Sequence, residues 1–283
     1  MNLGPADIDD YCVRIGYSGP REPTAEALRG IVAAHTATIP FENIDVLTRP
    51  PIHLDLPSLF KKLVHNRRGG YCYEQNLLLL NVSRALGFRA VGLAARVLRS
   101  RPPGVVPPRN HMLLRVDLGE DALVVDVGFG TALTAPLALE AEIEQKTPHE
   151  YFRLVPVDGE FDLQAKFGDV WTDLYRLSLQ EQMPIDYEAV NWYTSTHPES
   201  LFVRNIIAAR PGLHCRHTLF NDKFTTRHLD GKVDRRILNG VKDFDEVFSS
   251  CFGVTLSDSA ETEAIATLAA ERAASPDFFE RTR

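Results

Sequence analysis

Apolar residues at the start of the chain recur at the spacing of an amphipathic α-helix. Ile8, Cys12 and Ile15 form one apolar stripe, which stops at Gly16. Thr24, a favoured N-cap residue, precedes a second stripe of the same kind. The pattern therefore predicts two amphipathic helices, with Cys12 packed in the core.

Two further helices are predicted before position 88. One begins near Asp55, and the other runs from about Cys72 to Gly87, a residue type suited to ending a helix. Gly69 and Gly70 interrupt the chain just before Cys72, which puts the thiol at the N-terminus of this fourth helix. Free N–H groups and the positive end of the helix dipole favour an anion there, so we expect Cys72 to be reactive.

After these helices the sequence alternates between apolar and polar residues, as β-strands do. Strands are predicted over 90–98, 112–118, 122–127, 151–157, 161–167 and 170–179. A short helix is predicted at 187–193, then strands over 202–209, 213–220, 223–229 and 232–238, then helices at 243–251 and 258–272. The order predicts an α+β fold with a helical bundle at 1–87, a β-rich domain at 88–197 and a mixed third domain at 198–283.

The second and third strands are predicted to form a hairpin that turns at Gly119 and Glu120. A two-residue loop would set Leu113 opposite Asp126, with His111 as the diagonal neighbour of Asp126 on the same face. A longer loop would change this register. The hairpin thus brings an imidazole and a carboxylate within reach of each other.

Cys72, His111 and Asp126 are the residue types of a thiolate–imidazolium nucleophile oriented by a carboxylate. Both His111 and Asp126 lie where a strand meets a loop, a placement that favours function. Spacing alone leaves the structural alternatives open, because the chain has nine histidines and 38 acidic residues. Those alternatives are a packed cysteine at a tight turn, a surface histidine and a strand-end aspartate that caps a loop.

Composition narrows the class of protein. The net charge is -7 and no basic run stands out, which argues against a nucleic-acid partner. The acidic N-terminus lacks a signal-peptide core, and no stretch reaches the roughly 18 apolar residues of a membrane span, so we expect a cytoplasmic protein with no membrane contact. The four cysteines include no C-x-x-C pair, which argues against zinc and a disulfide framework.

Four motifs carry a resemblance to a known family. They are Ile-Pro-Phe-Glu-Asn at 39–43, Arg-Gly-Gly-Tyr-Cys-Tyr-Glu-Gln-Asn at 68–76, Asn-His-Met at 110–112 and Val-Asp-Val-Gly-Phe-Gly at 125–130. In these motifs, their order and their spacing, the sequence resembles the arylamine N-acetyltransferase family. The resemblance extends from the first helix to about Arg210 and is looser over the last seventy residues. Gln75 departs from the residue often found in the family, at a position with no catalytic part.

The resemblance implies a helical bundle, a central β-barrel and a C-terminal α/β lid around a cysteine-protease-like catalytic core. It implies a ping-pong acyltransferase of xenobiotic metabolism, in which Cys72 takes an acetyl group from acetyl-coenzyme A as a thioester. The acetyl group then passes to an arylamine, arylhydrazine or arylhydroxylamine. His111 would move the proton, and Asp126 would orient and stabilise the imidazolium.

The resemblance also assigns binding residues. The acceptor pocket is expected to be lined by four aromatic residues: Phe41, Tyr73, Phe129 and Phe202. The co-substrate acetyl-coenzyme A is expected to contact Asn110, Gly128, Gly130 and Thr131. Neither a permanently bound cofactor nor a metal is implied, and a homo-oligomer is left open.

Two charged clusters have competing interpretations. Phosphate binding and a solvated face are both open for the arginines around the proline-rich loop, which are Arg96, Arg99, Arg101 and Arg109. A metal site is the less favoured interpretation of His214, His217 and His228, because His214 and His217 point to opposite faces of a strand.

Three functional hypotheses share these residues. The transferase is preferred. The runner-up is a papain-like or transglutaminase-like thiol hydrolase, which would release the acyl group to water or a peptide amine with the same triad. An amide synthase or a module that only binds coenzyme A is the third, and the complete triad argues against mere binding.

Overall fold

Helices and strands fall into successive blocks along the chain. The computed structural model describes residues 3–48, 51–99, 101, 104–130, 133–212, 214–256 and 259–272. The helices are α1 (Pro5–Ile15), α2 (Ala25–Thr38), α3 (Ile44–Thr48), α4 (Leu56–Phe60), α5 (Cys72–Ala85), α6 (Asp186–Thr196), α7 (Leu201–Arg204), α8 (Gly240–Val247) and α9 (Ser259–Glu271). Two π-helical segments, Lys61–His65 and Phe248–Phe252, continue α4 and α8.

The strands belong to two antiparallel sheets. They are β1 (Phe41–Glu42), β2 (Arg89–Val97), β3 (His111–Leu118), β4 (Asp121–Val125), β5 (Leu137–Ala138), β6 (Gln145–Lys146), β7 (Tyr151–Val157), β8 (Glu160–Phe167), β9 (Val170–Leu177), β10 (Ile207–Pro211), β11 (Cys215–Phe220), β12 (Lys223–His228) and β13 (Val233–Ile237). One sheet has eight strands in the order β5-β4-β3-β2-β9-β8-β7-β6, and the other has five in the order β1-β10-β11-β12-β13.

Local sequence signals place the first helices as predicted. Thr24 caps α2 by accepting a hydrogen bond from the Ala27 N–H at 3.2 Å, and Asp55 caps α4 by accepting one from the Ser58 N–H at 3.0 Å. Gly16 ends α1 in the left-handed conformation, with φ of 68°. Because the apolar stripes of these helices face one another, they bury a common core that includes Cys12, Leu28, Leu63 and Leu78.

The eight-stranded sheet curls until its two edge strands nearly meet. The Gln145 side chain of β6 joins them by accepting a hydrogen bond from the Ala138 N–H at 2.7 Å and donating one to the Ala138 carbonyl at 2.8 Å. The amide of Gln145 thus substitutes for a missing strand pairing. Inward-facing residues such as Leu163 and Phe152 fill the interior, so this sheet is the predicted β-barrel.

The hairpin of β3 and β4 has the predicted register. Leu118 pairs with Asp121 across the two-residue turn, and the pairing continues to Leu114 opposite Val125. Asp126 follows directly, at the end of β4. The two-residue loop therefore sets His111 and Asp126 at the same edge of the barrel.

The five-stranded sheet carries the C-terminal part of the chain. Its outer face is covered by α8, α9 and the π-helical segment, which pack Phe244, Phe248 and Ile265 against the strands. This is the predicted α/β lid, and the α+β fold class is confirmed. Phe41 of β1 pairs with Ala209 of β10, so the N-terminal helical region contributes one strand to this sheet.

The predicted strand over 202–209 is only half right. Its first part is the helix α7, capped by the Ser200 hydroxyl, which accepts a hydrogen bond from the Phe202 N–H at 3.3 Å. The Asn43 side chain donates hydrogen bonds to the carbonyls of Phe202 and Asn205, both at 2.7 Å. These contacts satisfy the backbone outside a ladder, so β10 starts only at Ile207.

Every helix in the described ranges is too short or too polar to cross a lipid bilayer. The domain boundaries at 87 and 197 stay predictions.

Candidate active site

Cys72 is the first residue of α5, and its relative exposure is only 3 %. Gly69 and Gly70 make this placement possible. A Cβ atom at Gly69 would lie 2.3 Å from the Pro40 carbonyl oxygen, and one at Gly70 would lie 2.7 Å from the Glu74 carboxylate. Glycine at position 69 is therefore required for the close approach to the Pro40 carbonyl, and glycine at position 70 leaves room for the Glu74 carboxylate.

The first turn of α5 is held by an acidic cap. The Glu74 carboxylate accepts a hydrogen bond from the Tyr71 N–H at 3.1 Å and pairs with the Lys62 ammonium at 2.6 Å. Since Glu74 is 2 % exposed, this ion pair is buried and ties α5 to the π-helical segment before it. Cys72 thus lies at a fixed helix end where unpaired N–H groups gather.

His111 and Asp126 form a buried pair beside Cys72. The distance from His111 Nε2 to Asp126 Oδ2 is 2.7 Å, and the two residues are 3 % and 1 % exposed. The other carboxylate oxygen, Oδ1, accepts hydrogen bonds from Asn76 Nδ2 at 3.0 Å and from the Gly128 N–H at 2.9 Å. Because Nε2 is engaged by Asp126, the Nδ1 atom of His111 is the one left for Cys72.

The surroundings of His111 favour its protonated form. Burial lowers the pKa of His111, but the charge of Asp126, the hydrogen bond to Asp126 and the interactions with Cys72 raise it by more, to about 10. Burial likewise raises the pKa of Asp126, whereas His111, Asn76 and the Gly128 N–H together lower it below its ordinary value. At neutral pH the pair is therefore an imidazolium beside a carboxylate.

Asn76 is a site residue for which no role was predicted from the sequence. Its Nδ2 donates to the Met112 carbonyl at 2.8 Å as well as to Asp126, and its Oδ1 accepts from the Val127 N–H at 3.1 Å. One side chain thus joins α5 to both strands of the hairpin. The signal was its spacing, because residues four apart on a helix share a face and Asn76 follows Cys72 by four.

Gly128 lets the loop after Asp126 lie directly on the start of α5. A Cβ atom there would be 2.6 Å from Cys72 Cα and 2.6 Å from Asn76 Nδ2. No side chain fits at this distance, so the close approach of the two backbones depends on glycine.

A cavity of about 240 Å³ opens onto Cys72 and His111. Its wall includes seven residues predicted from the sequence besides Cys72, namely Phe41, Asn110, His111, Gly128, Phe129, Gly130 and Phe202. The Oδ1 atom of Asn110 is buried and accepts no hydrogen bond from the described residues, so it is available to a ligand. Thr131 lies outside the described residues.

Aromatic rings form part of the apolar wall. Phe129 meets the His111 ring edge-to-face at a centroid distance of 5.1 Å, and Phe41 lies 5.9 Å from Phe202. Tyr73 does not line this cavity. It is 1 % exposed and packs 5.6 Å from the Tyr71 ring.

The cavity wall also includes residues that were not predicted from the sequence. Val97 lines it from β2, and Tyr193, Thr194, Ser200 and Leu201 line it from α6 and α7. Of these residues, Val97 lies on a strand that was predicted from the sequence, the one over 90–98. The others reach the cavity through tertiary packing that no local pattern encodes.

The four predicted arginines separate into two groups. Arg96 donates to the Pro107 carbonyl at 2.7 Å, and Arg109 pairs with Glu160 at 2.6 Å, so both side chains already bind other groups of the protein. Arg99 and Arg101 line the cavity. The arginine cluster thus sends two members to the site.

The histidines of the lid do not converge. His217 Nδ1 lies 3.0 Å from the Thr226 hydroxyl, and His228 pairs with Asp234 at 2.9 Å. Across the described ranges, His, Cys, Asp and Glu side chains form no group of three or more suited to a metal ion.

A second buried histidine, His35, supports the segment before Cys72 through Gln75. His35 is fully buried, with Nδ1 2.8 Å from the Tyr11 hydroxyl and Nε2 3.1 Å from Gln75 Oε1. The Gln75 amide donates to the carbonyls of Gly70 at 2.7 Å and Pro40 at 3.1 Å. Burial lowers the pKa of His35 to about 3, so this histidine is neutral.

Comparisons with known proteins agree on one family. A family model described as N-acetyltransferase matches residues 24–261. The arylamine N-acetyltransferase of Escherichia coli is 38 % identical over 89 % of this chain and 90 % of its own length. That of Mycobacterium tuberculosis is 39 % identical over 92 % of this chain and 94 % of its own.

Solved structures give the same result. The arylamine N-acetyltransferase of M. tuberculosis superposes with a TM-score of 0.88 at 37 % identity, covering 93 % of this chain and 99 % of that one. The Mycobacterium marinum enzyme in complex with CoA also superposes with a TM-score of 0.88, at 34 % identity, covering 92 % and 99 %.

Proposed function

The chain belongs to the arylamine N-acetyltransferase family, and from that premise we propose that it transfers an acetyl group from acetyl-coenzyme A through Cys72 to an aromatic amine, hydrazine or hydroxylamine. The observation that carries this proposal is the buried His111–Asp126 pair beside Cys72, at a helix start that opens into an aromatic cavity. The E. coli and M. tuberculosis relatives carry the activity in their names.

In the first half-reaction, the Cys72 sulfur attacks the thioester carbonyl carbon of acetyl-coenzyme A. The proton of Cys72 is held by His111, which Asp126 keeps in the imidazolium form. When the tetrahedral intermediate collapses, the bond to the coenzyme sulfur breaks and the imidazolium protonates that sulfur. Free coenzyme A leaves, and the acetyl group stays on Cys72 as a thioester.

The oxyanion of this intermediate needs hydrogen-bond donors. The backbone N–H groups in the first turn of α5 supply them, because the first N–H groups of a helix have no partner within the helix. Their direction is fixed by the Glu74 cap and by the glycines before Cys72.

Acetylation changes what His111 can do. Interactions with Cys72 are among the causes that raise the pKa of His111, and they disappear when the sulfur carries an acetyl group. Losing them lowers the pKa of His111, so the imidazole that has given up its proton to coenzyme A can stay neutral and act as a general base. In the second half-reaction it takes the proton of the attacking nitrogen, the carbon–sulfur bond breaks, and Cys72 and His111 return to their starting state.

Different residues of the cavity wall bind the acceptor and the coenzyme. Phe41, Phe129 and Phe202 offer apolar faces to the aromatic acceptor. Tyr73 supports this wall from behind through Tyr71, whose ring meets Phe202 edge-to-face at 5.8 Å.

The polar wall serves the coenzyme. Asn110, Gly128 and Gly130 line the cavity, and Asn110 Oδ1 can accept a hydrogen bond from an amide of the pantetheine arm. Thr131 is proposed with them from the resemblance.

Cytoplasmic location is part of the proposal, because all four cysteines are free and reducing compartments keep thiols in that state. The sequence left open whether the chain forms a homo-oligomer, and light scattering of the purified protein tests this.

The decisive experiment measures release of coenzyme A from acetyl-coenzyme A with and without a substituted aniline. We expect sustained turnover only with the amine, and stoichiometric formation of the acetylated amine. Equal turnover without the amine would establish the thiol hydrolase instead. Release of an amide only from a larger acyl thioester would favour the amide synthase.

A further inference from the structure

Gln75 lies in the first turn of α5 and is fully buried, and its amide reaches two backbone carbonyls that belong to different segments. Its Nε2 donates to the Gly70 carbonyl at 2.7 Å and to the Pro40 carbonyl at 3.1 Å. Gly70 stands two residues before Cys72, whereas Pro40 stands directly before Phe41, which lines the cavity. One side chain therefore binds both the segment that leads to the nucleophile and the segment that carries part of the apolar wall.

The partners of this amide fix its orientation. A carbonyl oxygen cannot donate a hydrogen bond, so both carbonyls need the NH2 group of Gln75, and Oε1 is left to face His35 Nε2 at 3.1 Å. His35 Nε2 then carries the imidazole proton, and Nδ1 accepts from the Tyr11 hydroxyl at 2.8 Å. Burial keeps this imidazole neutral, because it lowers the pKa of His35 to about 3. Each polar atom of the Gln75 side chain thus has a partner in the interior.

The two segments lie side by side at Phe41 and Gly70, which form a parallel β-bridge. The Gly70 carbonyl also accepts from the Glu42 N–H at 3.1 Å, and the Gly70 N–H donates to the Pro40 carbonyl at 3.3 Å. The strand β1 itself has only two residues, Phe41 and Glu42. The Gln75 amide therefore adds two hydrogen bonds to a short pairing between the cavity wall and the start of α5.

Cys72 and Phe41 depend on this pairing to different degrees. The Glu74 cap and the loop at Gly128 also hold the start of α5, where Cys72 lies. Phe41 lies on the two-residue strand, and its ring packs 5.9 Å from that of Phe202, which belongs to the four-residue helix α7. Loss of the amide is therefore expected to move the apolar wall more than the thiol.

We propose that Gln75 is a positioning residue that sets the distance between Phe41 and Cys72, and with it the fit of an aromatic acceptor beside the acetylated thiol. This inference rests on the proposed acetyl transfer and concerns its second half-reaction. The attacking nitrogen has to come within about 3–3.5 Å of the acetyl carbon, so a small shift of the wall that holds the ring lowers the rate of transfer.

The test measures the two half-reactions separately in Gln75→Met, which keeps the length of the side chain and removes the amide, and in Gln75→Asn, which draws the amide back. Asn81→Leu is the matched control, because the Asn81 amide lies on the same helix and donates within it, to the Leu77 carbonyl at 2.8 Å. The burst of nitrophenol from 4-nitrophenyl acetate follows acetylation of Cys72 and counts the active sites.

Transfer is then followed in a single turnover of the acetylated enzyme. The acceptor is either 4-methylaniline or hydrazine, which has no ring to pack on Phe41. The ratio of the two transfer rates does not depend on the fraction of active enzyme, so it reports the position of the wall and is insensitive to partial misfolding.

Gln75→Met is expected to lower the rate of transfer to 4-methylaniline about tenfold, because the ring is held at a shifted wall. Acetylation of Cys72 and transfer to hydrazine should change less than about threefold, since the other contacts of α5 persist. Gln75→Asn should lower the aniline rate in the same direction, and Asn81→Leu should leave the ratio of the two acceptors unchanged.

An unchanged ratio of the two acceptors in Gln75→Met would overturn the positioning role alone. Equal losses in acetylation and in transfer to both acceptors would assign Gln75 to general support of α5 and overturn it too. If Gln75→Met gives no burst, Gln75→Asn decides by the same ratio, and no burst in either variant would assign the residue to folding instead. Transfer to neither acceptor by the wild type would refute the proposed function.

Discussion

Two of the described histidines are almost completely buried, and they differ in charge: His111 is protonated and His35 is neutral. His111, 3 % exposed, lies 2.7 Å from the Asp126 carboxylate, and its pKa is raised to about 10. His35 has no exposed surface and lies between the Tyr11 hydroxyl and the Gln75 amide, and its pKa is lowered to about 3. Burial pushes both pKa values down, so the difference comes from the partners.

The comparison separates a chemical site from a structural one. His35 has neutral partners and supports, through Gln75, the segment that leads into Cys72. His111 has a carboxylate on one nitrogen and the thiol on the other, so it can hold and release a proton. A buried histidine is thus assigned a role by what its two nitrogens face, and the sequence position of the histidine alone does not decide it.

The largest effect is expected from Asp126→Asn, which gives His111 the kind of neutral amide partner that His35 has. The imidazolium would lose its counter-charge, and the ring its fixed tautomer. We expect acetyl transfer to an aniline to fall about 10⁴-fold, as it does when a triad aspartate elsewhere becomes asparagine. Steady-state kinetics at neutral pH measures this loss.

Thermal unfolding of the same variant provides the control, since the fold must survive for the comparison to count. A rate within tenfold of the wild type would mean that the carboxylate does not set the state of His111.

A smaller loss is expected from Gly128→Ala. The added methyl group would lie 2.6 Å from Cys72 Cα, so the loop behind Asp126 would have to move away from α5. A shift of this kind in a reacting group costs on the order of 10²-fold in rate. Gly4→Ala is the matched control, because its Cβ atom would meet its nearest neighbour at an ordinary 3.8 Å.

Single-turnover acetylation of Cys72 measures both glycine variants. Equal rates in Gly128→Ala and the wild type would contradict the claim that catalysis needs the close contact between this loop and α5.

The smallest effect concerns stability against pH, where the two histidines act on opposite limbs. The folded-state pKa of His35, about 3, lies below its ordinary value of 6.5, so only the unfolded chain binds the proton between them. Stability therefore falls as the pH drops below 6.5, by about 2–3 kcal/mol at pH 4.5. Urea unfolding should show a shallower acid limb for His35→Gln than for the wild type.

The raised pKa of His111 acts the other way. Its stabilisation is fully present below pH 6.5 and is lost as the pH rises through about 10. His111→Asn should flatten the alkaline limb and leave the acid limb to His35. Parallel curves for both variants and the wild type would contradict the assigned proton states.

Much of the fold followed from local patterns. The caps at Thr24 and Asp55, the glycine at position 16 and the hairpin register are set by residues close in sequence, and they were predictable for that reason. The two-residue strand β1 and the helix α7 were missed. Both depend on contacts between distant segments, such as the hydrogen bonds from Asn43 to the carbonyls of residues 202 and 205.

The site was predictable to a different depth. Residue type and register made Cys72, His111 and Asp126 candidates, and the resemblance favoured them over the structural alternatives. The contacts of Asn76 and Gly128, by contrast, depend on distances between α5, β3 and the loop after β4. The charge of each buried histidine could not be predicted from the sequence, since no pattern distinguishes a histidine that faces a carboxylate from one that faces an amide. The same limit applies to Arg99, whose burial in the cavity wall separates it from its neighbouring arginines.

The acetyl group on Cys72 can be detected directly by mass spectrometry. The protein is mixed briefly with acetyl-coenzyme A in the absence of an amine, quenched in acid, digested and analysed by mass spectrometry. We expect one acetyl group on the peptide containing Cys72, and its near absence at the same time in Asp126→Asn. Acetyl on Cys12, Cys215 or Cys251, or equal labelling of Cys72 in both proteins, would contradict it.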